Sequence, residues 1–173
     1  MQKKSSDYLG KAILLSLILI VVDLVGGFAN LRFETWFRWT STLITIAAII
    51  VFCIQFGKQQ TEGVTFGKVF GYGFKISLVI SIIMVVYSLL SFYVIFPELT
   101  GQIIAKSRAD LEAKGTMSEE QIDQAMSMSK KFMGPIPIAI FSFLATLFIS
   151  TIGSLLGAAF TKKSETNVFS NNP

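Results

Sequence analysis

The sequence contains no histidine and a single cysteine, Cys53. Without those side chains, one chain cannot form a disulfide, a zinc site of the Cys/His type or a histidine-dependent nucleophile or acid/base pair, and most hydrolase and metalloenzyme chemistries are excluded with them. Charge is scarce as well. Only 15% of residues are Asp, Glu, Lys or Arg, against roughly 25% in an ordinary soluble domain. Proline occurs four times in 173 residues, as Pro97, Pro135, Pro137 and Pro173, so long helices are interrupted at few places.

What fills the chain is apolar: 52% hydrophobic residues and a mean hydropathy of +0.62. These residues are gathered into blocks rather than spread at helical or strand period, which points to lipid rather than to a soluble core. Four stretches approach the roughly 20 residues needed to cross a bilayer: 12–31, interrupted by Asp23, then 39–57, 76–96 and 132–161. Gly134, Pro135 and Pro137 suit a loop or a helix start. The spans are therefore expected at about 10–31, 39–57, 76–96 and 137–160. Lys3, Lys4 and Lys11, followed by an apolar run and Gly27, Phe28 and Ala29, also resemble a cleavable signal. Asp23 and the length of the run favour a retained span. The fold class is thus all-α, a membrane-embedded four-helix bundle, with residues 1–163 as a single membrane domain.

Basic residues set the orientation. With the N-terminus inside, the inner segments carry Lys3, Lys4, Lys11, Lys58, Lys68, Lys75, Lys162 and Lys163 against Asp7, Glu62 and Glu165. The outer side carries Arg32, Arg38 and the 97–134 loop, where five basic residues face six acidic ones. Both termini are expected in the cytoplasm and the 97–134 loop outside. Tyr8 and Tyr72 at one edge, and Trp36, Trp39 and Tyr93 at the other, fit interfacial aromatic belts. The net charge of +4 sits beside apolar blocks and forms no separate patch, so the expected partner is an anionic lipid surface and not nucleic acid.

The 97–134 loop reads as a helical hairpin outside the membrane. Its first helix runs from about Glu98 to Lys114 and stops at Gly115. Ser118 followed by Glu119, Glu120 and Gln121 matches a capping box, so a second helix starts there and runs to about Phe132. Residues 164–173 form a polar tail, expected to be disordered.

An ionisable residue inside a span is a functional hypothesis by default, and Asp23 is that residue here. Helical rise places it near the middle of the first span, and the same count brings Thr45, Tyr87, Ser88 and Ser150 to its level as a candidate polar layer. One reading is a proton, cation or substrate site at the centre of the bundle. The other is a protonated carboxyl that hydrogen-bonds to neighbouring helices and fixes their register. Small residues line one face of the fourth span, Ser142, Thr146, Ser150, Gly153 and Gly157, a candidate packing face that would serve equally as a pore lining. Ser77, Ser81 and Ser88 do the same in the third span, and Ala12, Ser16, Asp23 and Gly27 in the first. The segment GVTFGKVFGYGF, 63–74, lacks the Gly-Lys-Ser/Thr ending of a P-loop and reads instead as an interfacial helix. Its Gly63, Gly67 and Gly71 would allow close approach to another helix, while Lys68 and Lys75 would meet lipid phosphates. The loop acids Asp110, Glu112, Glu119, Glu120 and Asp123 match no calcium-loop spacing, so no metal or cofactor is expected. Cys53 reads as a small apolar residue.

The order of parts resembles a family of small bacterial inner-membrane proteins classed only as a domain of unknown function. The residues that carry the likeness are TFGKVFGYGF leading into the third span, Pro97 closing it, and GTMSEEQIDQAMSMSKKFMGP before the fourth, within a match running over 8–163. The resemblance implies a four-span inner-membrane protein and carries over no catalytic or binding residue. The expected role is non-enzymatic: a structural, regulatory or assembly component, with homo-oligomers or other membrane proteins as partners. The alternative is a small transporter or channel subunit using Asp23.

Overall fold

The computed structural model describes residues 7–60 and 64–161. Among them there are helices and no strands. The six α-helices are α1 (Asp7–Phe28), α2 (Thr35–Lys58), α3 (Phe66–Leu90), α4 (Leu99–Lys114), α5 (Glu119–Ser129) and α6 (Pro135–Phe160). Four segments are long and apolar enough to cross a membrane: α1, α2, α6, and α3 with its continuation to Ile95.

The distribution of side chains is that of a protein in lipid. Leu14, Leu17, Val21, Val25, Phe141 and Phe148 are exposed on α1 and α6, while Ser16, Ser77, Ser81, Ser150 and Ser154 are buried. Water would penalise this many outward apolar groups, whereas hydrocarbon accepts them and leaves small polar residues to line helix contacts.

Helix ends follow local chemistry. α1 stops three residues before the expected Leu31, because Asn30 adopts a left-handed φ of 56°. The Asn30 N–H donates to Gly27 and the Leu31 N–H to Gly26, the paired bonds of a Schellman turn with asparagine in glycine's place. α3 begins at Phe66, so the segment 66–75 and the expected third span form one continuous helix. Its far end widens into a π turn over Ser91–Ile95, where the Phe96 N–H reaches Ser91 at 2.8 Å before Pro97, which has no N–H to continue the ladder. α3 and that turn hold 30 residues, about 45 Å of rise, enough to cross the bilayer with its headgroups. α6 starts at Pro135, two residues earlier than expected, with proline in the first turn.

The chain divides into two compact units whose boundaries fall inside α3 and α6. In the unit of residues up to Ile83 and from Ala145 onward, α1, α2, the first part of α3 and the last part of α6 meet one another. The unit Met84–Leu144 holds the helical hairpin. There α4 ends at Gly115 with φ 62°, and Ser118 and Gln121 form the reciprocal capping box that opens α5. Arg108 joins the two hairpin helices, 2.6 Å from Asp123 and 2.8 Å from Glu112. Its guanidinium pKa is raised, chiefly by the Asp123 hydrogen bond. Ile122 and Met126 form the buried side of α5, and Leu99 is buried on α4. The tail 164–173 and Gly63 lie outside the described residues.

Candidate functional site

Asp23 does not stand alone. The turn capped by Asn30 sends the chain back along α1, and Arg32 Nη2 donates to Asp23 Oδ2 at 2.6 Å. The Arg32 side chain is 16% and the Asp23 side chain 33% exposed, so this is a partly enclosed ion pair. Asp23 is five residues from the end of α1, roughly 7.5 Å of rise. It therefore lies in the last third of α1, about as far from the helix end as from its middle. A carboxylate in apolar surroundings is stabilised by an adjacent guanidinium, which offers a planar, permanently charged donor. Sequence position alone gives Arg32 as a turn residue and does not show the pairing. The signal was there in Asn30, a residue suited to a left-handed helix stop two positions before the arginine.

A second polar cluster sits at the opposite end of α1. The Lys11 ammonium lies 3.1 Å from Asp7 Oδ2 and 5.5 Å from the ring centroids of Phe52 and Tyr72. The Tyr72 hydroxyl donates to the same carboxylate oxygen at 3.2 Å, and Phe56 stacks on the Tyr72 ring at 4.1 Å. With Lys11 only 14% exposed, the cluster joins α1, α2 and α3 and balances one ammonium with one carboxylate. Tyr72 thus binds inside the bundle rather than standing in an outward aromatic belt.

Between these clusters the helices meet through very small groups. The Ser77 and Ser154 hydroxyls are 3.2 Å apart across α3 and α6, and each also bonds one turn back, Ser77 to Gly73 and Ser154 to Ser150. A Cβ built on Gly73 would stand 2.7 Å from both Cys53 Sγ and Ser154 Oγ. One on Gly157 would stand 2.6 Å from Cys53 Cβ and 3.1 Å from Ile50 Cα, and one on Gly153 3.3 Å from Ile49 Cβ. Glycine is required here by backbone approach.

The expected packing face of α6 is thus placed as follows. Ser150, Gly153 and Gly157 are buried and Thr146 is half-buried, with Ser154 added at the centre; Ser142, also half-buried, belongs to the hairpin unit. Of the expected polar layer, Thr45 is buried and donates to Ser41 of its own helix, and Ser150 is fully buried. Tyr87 is buried and Ser88 half-buried, both in the hairpin unit. On α3 the glycine expectation is corrected. A Cβ on Gly67 or Gly71 would meet nothing within 4 Å, and the close approach is made by Gly73. Gly67 and Gly71 lie on the outer side of the helix, whereas Gly73 is on the inner one. Among the described residues, no three His, Cys, Asp or Glu side chains group as metal ligands.

These features define an all-α, multi-pass membrane protein whose internal charges are paired and whose helices meet through serine, glycine and cysteine. The chain belongs to the family DUF4199, described as a protein of unknown function, which matches residues 9–163. No curated protein and no solved structure matches it.

Proposed function

We propose that the chain is a non-enzymatic component of a bacterial inner membrane, structural, regulatory or assembly-related, that acts by presenting helix faces and the α4–α5 hairpin to lipid, to further copies or to other membrane proteins. The observation that carries this reading is the occupied face of α6. Gly153 and Gly157 lie against α2, and Ser154 against Ser77 of α3, so this part of the small-residue face is spent on helix contacts. The Asp23–Arg32 pair supports it too, since the carboxylate is held in an ion pair with a guanidinium of its own chain 2.6 Å away. The proposal places both termini in the cytoplasm and the hairpin outside, on the excess of lysine beside the first, second and fourth spans.

Flux through reconstituted liposomes tests it. Vesicles containing the full chain should leak protons and monovalent cations no faster than empty vesicles. A flux that Asp23→Asn abolishes, with the protein still folded, would replace this reading with transport.

A further inference from the structure

The first half of α3 has an outward face that the helix contacts leave open. Lys68 and Lys75 are exposed on it, and neither meets a carboxylate among the described residues. At 100° per residue, Gly67, Gly71, Lys75 and Lys68 fall in order within an arc of about 100°. The two glycines are the floor of this face, because a Cβ at either would stand in open space. Beside them Phe66, Phe70 and Phe74 stack in sequence, with ring centroids 6.3 and 5.9 Å apart. An aromatic wall, a bare backbone floor and an ammonium edge therefore run side by side along the helix.

We propose that this face binds one anionic phospholipid, its phosphate between Lys68 and Lys75 over the bare backbone of Gly67 and Gly71, and its acyl chains continuing toward the bilayer centre past Phe74. Charge selects the occupant. Two lysines that meet no carboxylate among the described residues, on a helix long and apolar enough to cross the bilayer, call for a phosphate, and the Lys75 stem is long enough to carry its ammonium toward the level of Lys68. A second copy docked on the same face about a two-fold axis would bring like charges together in a medium of low dielectric. The bare glycine backbone leaves room for the headgroup, and the phenylalanine rings beside it offer an apolar wall. The inference needs α3 to cross the membrane and is independent of which end faces the cytoplasm.

Native mass spectrometry of the full chain, delipidated in detergent and then offered phosphatidylglycerol or phosphatidylcholine, tests the site. The wild-type protein should retain one phosphatidylglycerol in preference to phosphatidylcholine by about tenfold or more. Lys68→Gln with Lys75→Gln should remove that preference. Gly71→Leu should remove it with both charges in place, and Gly67→Leu serves as a second variant that fills the same floor. Equal retention of the two lipids, or retention unchanged by the lysine or glycine variants, overturns the proposal. So does a wild-type dimer that Gly71→Leu converts to monomer, which would give the face to a second copy.

Discussion

Arg32 folds back across nine residues to lie 2.6 Å from Asp23 of the first span. The pair sits where Asn30 ends α1, so the ion pair and the geometry of the turn depend on each other. Removing one member of an enclosed pair leaves the other charge uncompensated, which costs more than the pair itself contributes. Arg32→Ala should lower unfolding free energy in detergent by about 2 kcal/mol, between the values for exposed and for fully buried pairs. Adding Asp23→Asn to it should recover most of the loss. A double-mutant cycle reads the coupling, and additive losses would show that the contact contributes little.

Glycines on the two sides of α3 and α1 should respond in opposite directions. Gly73→Ala places a methyl against Cys53 and Ser154 and should destabilise by about 1–3 kcal/mol, the usual range for overpacking. Gly10→Ala meets nothing and should stabilise α1 by about 0.5–1 kcal/mol through helix propensity. Thermal unfolding of both variants in the same detergent checks the contrast.

The Ser77–Ser154 contact is one interhelical hydrogen bond in a bundle where small size matters as much as polarity. Ser154→Ala should cost only about 0.6 kcal/mol, typical of such bonds within membranes. Ser154→Leu should cost far more, since its side chain would enter the space beside Gly73. Equal losses for the two variants would mean that the hydrogen bond, and not the close approach, holds α3 to α6.

In the hairpin, Ser118→Ala removes the side chain that accepts the Gln121 N–H and should destabilise α5 by about 1 kcal/mol. Arg108→Ala breaks exposed ion pairs and should cost less than that. Hydrogen exchange over Glu119–Ser129 distinguishes them, with faster exchange expected in the Ser118 variant.

Much of this architecture was legible in the chain. Four spans follow from hydropathy, and Gly115, Ser118 and Gln121 mark the hairpin ends because caps are local chemistry. What was not legible depended on which side of a helix faces inward. A period of four drew attention to Gly67 and Gly71, yet Gly73 makes the close approach, since inward direction is set by neighbours far away in sequence. The pairing of Asp23 escaped for the same reason. Arg32 is a turn cation in the sequence, and only the helix stop at Asn30 directs it back onto α1; likewise nothing local shows that Lys11 and Tyr72 close a cluster with Asp7.

The central claim, a four-span component with both termini inside and its hairpin outside, is tested most directly by accessibility in intact cells. Single cysteines at Ser107 and Ser127 in the hairpin, and at Ser164 beyond the fourth span, would be introduced in a Cys53→Ala background and exposed to an impermeant maleimide. The account predicts labelling at Ser107 and Ser127 and none at Ser164 until the membrane is opened. Labelling of Ser164 with protection of both hairpin positions would contradict it and place the hairpin in the cytoplasm.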